Sequence, residues 1–343
     1  MGQVNPCPIF LYYCVKFTLL TSSAKKLVSY LLKAGILVIA AWFIYKQFNK
    51  KNDDLKEFNL LISHLNSTRV IITMCLVIGL MFVNWFLEAL KWRYVSKTLI
   101  NITLWEAVEA VFCGLTWAVT TPNRVGEYGG RVMFLPNRKR IPGIFAMGVG
   151  SFSQGLVTNV LGVIAMIWFT LNYVHDKVWI YAAVIAVCAV LATIQLIIYF
   201  NIKWMVFFFD KIAFIRKYHR FFEVLDRYKS HELIRIMGFS VARYATFSMQ
   251  YYLVFQMLVP QMPVFSMFMM LMLFLLISAL IPSLDLFDIG VRGFTASHLF
   301  IYLTDQKLAV IAGVSSIWLI NLIIPAILGS LFVLKLKFFD RTA

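Results

Sequence analysis

Charged residues are scarce in this chain, and acidic residues are the scarcest. Aspartate and glutamate supply 16 of its 343 residues, and charged residues of all kinds make up 14%, whereas 61% are hydrophobic. The mean hydropathy is +0.80. A soluble domain of this length could not cover so much apolar surface. The apolar stretches are also too long and too many for a buried core, so the sequence predicts a polytopic membrane protein.

Motifs for metals, disulfides and nucleotides are lacking as well. The five cysteines are scattered without a CxxC spacing, and the five histidines form no HExxH, so neither zinc nor a disulfide framework is indicated. The chain has no GxxxxGK run followed by Ser or Thr, no DxD pair and no large soluble loop. We therefore expect no metal, no cofactor and no catalytic residue, and a transporter-like protein rather than an enzyme.

Basic residues are plentiful by comparison, with 32 lysines and arginines and a net charge of +16. In membrane proteins such an excess lies mostly in cytoplasmic loops beside anionic lipid, so we do not expect nucleic acid as a partner. Residues 203–235 mix aromatic and basic residues at helical spacing. This pattern predicts a helix lying on the cytoplasmic leaflet and binding anionic phospholipids, although a solvated loop helix fits it nearly as well.

The apolar runs predict an all-α membrane protein with six full transmembrane helices. Each run is long enough to cross about 30 Å of hydrocarbon. Two further segments, 105–135 and 264–303, are broken by Pro, Gly and polar residues and read as re-entrant or broken helical hairpins. The six spans are expected at 27–45, 70–90, 143–170, 178–200, 234–257 and 308–334.

The placement of lysine and arginine predicts which side each loop faces. If the N-terminus is inside and each hairpin returns to its own side, inside segments carry 22 basic residues and outside segments carry 8. That bias favours cytoplasmic N- and C-termini, although loop 46–69 fits poorly because it holds five basic residues outside. The chain then divides into a cytoplasmic segment, 1–26, one transmembrane domain, 27–335, and a short cytoplasmic tail, 336–343.

The same arrangement predicts an internal inverted repeat within the transmembrane domain. Residues 27–170 and 178–334 would each contain three spans and one hairpin, in the same order. An odd number of crossings inverts the second unit relative to the first, so the two hairpins enter from opposite faces. Matched interrupted segments in two halves often mark the substrate site of a transporter.

Both hairpins carry a carboxylate and an arginine at i, i+4 just after a proline. In the first, Pro122 precedes Glu127 and Arg131, and in the second, Pro282 precedes Asp288 and Arg292. Such spacing can merely support a helix. Because ionisable residues at membrane depth are costly and usually functional, we favour a charged lining for a lipid-headgroup path.

Two further membrane-depth ionisable residues are candidate site residues. Arg243 lies inside the fifth span and should pair with a carboxylate, for which Asp285, Asp288 and Glu109 are candidates. Glu109 lies on the first arm of hairpin one. Glu88 closes the second span and could pair with Arg93 or with hairpin one. Polar residues of the middle spans, Gln154, Asn159 and Gln195, are expected to join helices by hydrogen bonds.

The run NRVGEYGGRVMFL, preceded by ALKWRYVSKTL and followed much later by IPSLDLFDIGVRGF, resembles one family, the lysylphosphatidylglycerol synthase transmembrane region, or flippase-like domain. The resemblance extends from about residue 27 to 335. It implies an inner-membrane protein that moves or helps process polar-headed lipids, without the soluble aminoacyl-transferase domain of the synthases. The chain departs from the pattern at Asn123, where relatives have glycine, and at SFSQGLVTN, which lacks their charged residues, so we expect a different lipid.

These observations lead to one leading hypothesis and two alternatives. The leading hypothesis is a lipid translocase of the bacterial inner membrane that moves a polar-headed or glycosylated lipid, with the oligomeric state, including a homo-oligomer, left open. The alternatives are a lipid-linked glycosyltransferase using Glu109 or Asp288 as a base, and an accessory scaffold for lipid or envelope synthesis. The expected substrate-binding residues are Arg131, Arg292, Arg243, Glu127, Asp288, Glu109, Asn123 and Arg124.

Overall fold

The computed structural model describes residues 67–119, 121, 124–176, 178–212, 216, 219–281 and 285–333, and for 285–289 the backbone only. The predicted span at 27–45 and both terminal segments, 1–26 and 336–343, lie outside these residues. All regular elements in the described part are helical, which confirms the all-α prediction.

Eleven α-helices follow one another along the described residues. They are α1 (Ser67–Ser96), α2 (Leu104–Val119), α3 (Val125–Val132), α4 (Arg140–Tyr173), α5 (Val178–Phe200), α6 (Lys203–Lys211), α7 (His219–Phe222), α8 (Ser230–Leu258), α9 (Val264–Leu280), α10 (Asp285–Leu299) and α11 (Lys307–Val333). Short 3-10 turns lie at Asn137–Lys139, Glu223–Arg227 and Phe300–Tyr302.

Four of these helices are long and apolar enough to cross a membrane, namely α1, α4 with its preceding turn, α5 and α11. Helix α8 has 29 residues, enough for a crossing, but it falls outside this apolar group. Polar and charged residues along the helix lower its hydropathy. Some of them, Ser240, Ser248 and Gln250, are buried in the protein and so are not exposed to lipid.

Helices α1 and α8 pack side by side in opposite directions. Arg243 donates to Asn84 Oδ1 at 3.0 Å, and Gln250 donates to the Val77 carbonyl at 2.9 Å. Helix α11 joins them where Asn321 donates to Gln250 Oε1 at 3.1 Å. Because α4 also packs against α8 and α1, these helices form the frame that holds the site.

Loops gather at two ends of the helix bundle. At one end, Tyr228 donates to the Val95 carbonyl at 2.8 Å, and the Phe145 and Phe222 ring centroids are 6.1 Å apart. We call this the basic end and define it by loops 97–103 and 133–139 and by the described residues of 201–229. The opposite end, defined by loops 174–176, 259–263 and 303–306, is tied together by aromatic contacts such as Tyr173 against Tyr302.

The two predicted hairpins correspond to helix pairs interrupted at the expected places. Helices α2 and α3 are separated by residues 120–124, and α9 and α10 by residues 281–284. With 16 and 17 residues, α2 and α9 are about 24–26 Å long, shorter than about 30 Å of hydrocarbon. Hairpin one is tightly packed, because a Cβ on Gly130 would lie 2.6 Å from Gly114 Cα.

Candidate functional site

Glu88 lies at the centre of a buried ion-pair cluster. This residue of α1 is only 5% exposed, and it accepts Lys91 Nζ at 2.8 Å and Arg131 Nη1 at 2.5 Å. The guanidinium of Arg243, from α8, pairs with the second oxygen as well. A buried carboxylate is tolerable only when it is paired and hydrogen-bonded, and here three cations from three helices meet that requirement.

Arg131 connects hairpin one to this cluster. It pairs with Glu127 four residues earlier, as the spacing predicts, and also with Glu88. Arg124 completes the group, with Nε 3.3 Å from Glu127 Oε2. Its φ of 57° is the only positive value at a non-glycine residue among the described residues. A left-handed backbone conformation at a non-glycine residue is costly unless the surrounding structure enforces it. Residues of this kind cluster at functional sites, including ligand sites.

Arg243 has partners other than the predicted ones. We expected Asp285, Asp288 or Glu109, but the structure pairs it with Glu88. The antiparallel register of α1 and α8 places Glu88 opposite Arg243. The spacing of residues within one helix does not reveal how two helices align, so this pair could not be predicted. Beyond the ion pair, its guanidinium reaches Gln154 Oε1 at 3.4 Å and lies 5.2 Å from the centre of a Trp85 ring.

The cluster carries an excess of positive charge. Its described members comprise four cations and two carboxylates, which leaves two positive charges in a largely buried group. The cations are Lys91, Arg124, Arg131 and Arg243, and the carboxylates are Glu88 and Glu127. An excess of this kind is unfavourable away from water, so an anion placed against the cluster would be stabilised.

A cavity of about 650 Å³ lies beside the cluster. Three arginines line it, Arg124 from hairpin one, Arg243 from α8 and Arg292 from α10. None of the described lining residues is acidic. The remaining lining is aromatic, amide, hydroxyl or aliphatic, and comes from Asn84, Trp85, Gln154, Thr158, Tyr244, Phe247, Tyr251, Leu275, Ser278, Ala279, Leu280, Ile281, Trp318, Asn321 and Leu322.

Several lining residues carry buried polar atoms that have no hydrogen-bond partner among the described residues. They are Trp85 Nε1, Tyr244 Oη, Ser278 Oγ and Asn321 Oδ1. Buried polar groups are normally satisfied, so such a concentration in one cavity indicates a site for polar groups of a ligand or for water.

The structure brings the predicted site residues into two neighbouring groups. Arg124, Arg243 and Arg292 line the cavity, whereas Arg131 and Glu127 lie behind it in the ion-pair cluster. Glu109 is buried on α2 and does not line the cavity. Asp288 is in α10 with its side chain outside the described part, and Asn123 lies outside the described residues.

The predicted pairing of Glu88 with hairpin one is confirmed, because Glu88 pairs with Arg131, but sequence reasoning missed the central role of Glu88 and the contribution of Asn84 and Lys91. The signal was present, because positions 84, 88 and 91 recur at i, i+4 and i+7 and so share one face of an apolar helix. The predicted interhelical bonds did form: Asn159 donates to Gln195 at 2.7 Å and Gln154 to the Ser240 carbonyl at 3.4 Å.

Within the described residues, no group of three or more His, Cys, Asp or Glu side chains is placed to hold a metal ion. The described side chains of the site offer ion pairing and hydrogen bonding to a polar ligand.

Comparison with protein families identifies one match. The model described as the lysylphosphatidylglycerol synthase TM region matches residues 30–329. Comparison with curated proteins and with solved structures gives no match.

Proposed function

The chain belongs to the lysylphosphatidylglycerol synthase TM-region family, and from that premise we propose that it is a flippase-like lipid translocase. The family indicates a multi-pass membrane protein of lipid or envelope metabolism. Our proposal adds that the protein moves a polar-headed lipid across the bacterial inner membrane. The head would enter the cavity while the acyl chains stay in the bilayer.

The observation that carries this proposal is the cavity lined by arginines and aromatic rings. Charged side chains at membrane depth are expensive and normally mark a substrate or ion pathway. A volume of about 650 Å³ is within the range of small-molecule pockets and suits a lipid head. The cavity also combines polar groups with apolar walls such as Phe247 and Leu275, as a lipid with a polar head and an apolar body requires.

The path of the two hairpins supports an inverted repeat with alternating access. Hairpin one starts and finishes at the basic end, where Leu104 and Val132 are flanked by loops 97–103 and 133–139. Hairpin two starts and finishes at the opposite end, where Phe265 packs on Trp168 with ring centroids 5.9 Å apart. We propose that both are re-entrant, that they approach the cavity from opposite faces and that their relative movement opens it to each side in turn.

The distribution of charge supports an orientation with the basic end in the cytoplasm. Segments 91–104, 122–142 and 203–235 hold 16 lysines and arginines, whereas segments 171–177, 258–264 and 282–307 hold 3. Among the described residues, Val95 packs with Ile202 and Phe222 at one end of the bundle, whereas Tyr173 packs on Tyr302 at the other. With this orientation the N- and C-termini would both be cytoplasmic.

A cavity-filling substitution tests the proposal. Ala279 lines the cavity near the break between α9 and α10, and Ala279→Trp would occupy part of it. The matched control is Ala183→Trp on the exposed surface of α5. Purified protein in vesicles with a fluorescent-tailed phospholipid tracer is expected to equilibrate the tracer between leaflets. We expect A279W to equilibrate the tracer at least tenfold more slowly than the unsubstituted protein. A183W should equilibrate it at the same rate as the unsubstituted protein.

Thermal unfolding of both variants in detergent separates blocked transport from misfolding. Equal tracer movement with A279W and A183W, at equal stability, would exclude this cavity as the lipid path. Failure of every polar-headed tracer to move with the unsubstituted protein would overturn the translocase proposal itself.

A further inference from the structure

The polar atoms of the cavity wall indicate a substrate class: we propose that the cavity recognises lipid heads through their hydroxyl groups, such as those of a glycerol, an inositol or a sugar. This inference rests on the proposed translocase function and narrows it. A translocase could carry a polar head without bonding its hydroxyl groups, so the two proposals can fail separately.

Three side chains of the cavity wall carry buried N–H or hydroxyl groups without a partner among the described residues. They are Trp85 through Nε1, Tyr244 through Oη and Ser278 through Oγ. Trp85 and Tyr244 are only 5% and 7% exposed. An indole N–H donates only, whereas a hydroxyl both donates and accepts. Because an unpaired buried polar group is costly, we expect these groups to bond a ligand or water.

Asn321 adds an acceptor to this set, and a chain of hydrogen bonds fixes its orientation. Gln250 Nε2 donates to the Val77 carbonyl at 2.9 Å, so Gln250 Oε1 accepts from Asn321 Nδ2 at 3.1 Å. Asn321 Nδ2 also donates to the Ile317 carbonyl at 3.0 Å. The remaining atom, Asn321 Oδ1, is buried and has no partner among the described residues. A ligand group that bonds it must be a donor.

A group that both donates and accepts hydrogen bonds matches the whole set. An ionised phosphate accepts only, so it suits the Trp85 N–H but not Asn321 Oδ1. An ammonium group donates only, so it suits Asn321 Oδ1 but not the Trp85 N–H. A hydroxyl group suits both. Water has the same capacity, so the experiment must separate hydroxyl groups of the head from water.

The unpaired groups are spread along the cavity. Tyr244 directly follows Arg243 on α8, whereas Asn321 bonds Gln250, six residues or about 9 Å further along the same helix. A head with several hydroxyl groups can reach more than one of these positions. We therefore expect glycerol, inositol and sugar heads to be recognised better than a head without hydroxyl groups.

The test compares tracers that carry the same charge and differ in hydroxyl content. Vesicles of phosphatidylcholine contain the purified protein and one fluorescent-tailed tracer: phosphatidylpropanol, phosphatidylglycerol or phosphatidylinositol. Each head has one phosphodiester and no ammonium group, and the propanol head has no hydroxyl group. We expect the two hydroxyl-bearing tracers to move at least about tenfold faster, because a site that bonds a hydroxyl rejects the analogue lacking it.

The outcomes of this comparison separate the inference from the function. Movement of all three tracers at equal rates would overturn the inference and leave the translocase function intact. The inference also fails if none of the three moves while another polar-headed tracer does. If no polar-headed tracer moves, the translocase proposal itself is contradicted.

Tyr244→Phe links the selectivity to the cavity. The change removes a buried hydroxyl without a described partner, so the melting temperature in detergent should stay the same or rise. We expect the preference for phosphatidylglycerol over phosphatidylpropanol to fall about fivefold, which corresponds to the loss of one hydrogen bond. Ser278→Ala should have the same two effects. An unchanged preference in both variants, or a lower melting temperature for Y244F, would contradict the assignment of these hydroxyls to the ligand.

Tyr199→Phe is the matched control. Tyr199 is fully buried as well, but its hydroxyl donates to the Leu233 carbonyl at 2.8 Å, and the residue does not line the cavity. We expect Y199F to lower the melting temperature and to keep the preference, the reverse of Y244F. An equal loss of preference in both variants would show that selectivity follows general packing, and it would overturn the assignment.

A soluble polyol distinguishes a lipid head from a free hydroxyl compound. Uptake of radiolabelled sorbitol is measured in the same vesicles and in vesicles without protein. Selectivity among the tracers without protein-dependent sorbitol uptake supports recognition of a lipid head. Protein-dependent sorbitol uptake without selectivity among the tracers would assign the cavity to a soluble polyol and overturn the lipid assignment.

Discussion

Glu88 is the residue on which the candidate site depends most. It accepts ion pairs from Lys91, Arg131 and Arg243, and therefore fastens α1, hairpin one and α8 to one another. Removal of the Glu88 carboxylate would deprive all three of these cations of a partner. An uncompensated buried charge is far more costly than the loss of a pair at the surface.

We predict a large loss of stability for Glu88→Gln, of about 3–5 kcal/mol, because one partner of a buried ion pair is removed. Glu223→Gln is the matched control, since Glu223 pairs with Arg227 at i, i+4 with both side chains about half exposed. That pair should contribute about 0–1 kcal/mol. Unfolding of both variants by sodium dodecyl sulfate measures the difference in stability. Equal losses of stability would show that Glu88 does not hold the ion-pair cluster together.

Single residues also show what the sequence could and could not predict. The Glu127–Arg131 pair followed from i, i+4 spacing on one helix, where geometry is local. The partner of Arg243 did not follow, because it depends on how α1 and α8 are aligned. Similarly, Arg131 was expected to face the ligand, yet it is 1% exposed behind the cavity. Only packing decides which arginine of a cluster is presented to a ligand.

Hairpin one owes its shape to close contact between its two helices. Gly130 of α3 lies against Gly114 of α2 so closely that a Cβ would come within 2.6 Å of backbone. This contact allows Arg131, the next residue, to reach Glu88 while α2 packs on α11. There Thr116 donates to the Ala326 carbonyl at 2.9 Å.

Gly130→Ala should separate α2 from α3 and destabilise the protein by about 1–3 kcal/mol, the usual cost of overpacking. Gly148→Ala in α4 is the control, because a Cβ there has no heavy atom within 4 Å. In a helix interior that change should be neutral or stabilising by up to about 1 kcal/mol. Melting temperatures in detergent provide the comparison. A G130A protein as stable as G148A would argue against the tight packing of the hairpin.

Helix α6 offers a surface for the anionic leaflet. Trp204, Phe207 and Phe208 are each at least half exposed, and Lys211 Nζ lies 4.3 Å from the Phe207 ring centre. We propose that these rings insert at the headgroup boundary while the lysines contact anionic phospholipids. A nitroxide on Phe208→Cys should be more accessible to oxygen than to a water-soluble nickel reagent, and more so in anionic vesicles. The same label on Arg227→Cys should show the reverse, and equal behaviour of the two sites would exclude membrane insertion.

Element boundaries were the most predictable part of the fold. The expected spans at 70–90, 143–170 and 178–200 correspond to α1, α4 and α5, and both broken segments contain an interruption. These features follow from apolar length and from Pro and Gly positions. The span predicted at 234–257 corresponds to α8, which is long enough to cross but is not among the four helices that are apolar enough. Its buried polar residues are distinguished from lipid-facing ones only after packing.

At the scale of the whole molecule, the two ends differ sharply in charge. Among the described residues, the basic end holds most of the loop lysines and arginines, and the opposite end holds few. Cysteine labelling of intact cells tests the proposed orientation, in a background without the native cysteines. We expect a membrane-impermeant maleimide to label His175→Cys and Gln261→Cys, and to reach Arg138→Cys and Arg227→Cys only after the cells are opened. All four positions are exposed, so the opposite pattern would reverse the orientation.

The proposed function requires that a lipid head occupies the cavity between the two hairpins. The most direct measurement is a cryo-electron microscopy map of the protein in nanodiscs containing phosphatidylglycerol. We predict headgroup density beside Arg124 and Arg243, with the phosphate within hydrogen-bond reach of at least one guanidinium. A map in which an acyl chain or packed protein fills this cavity, with the head elsewhere, would contradict the claim.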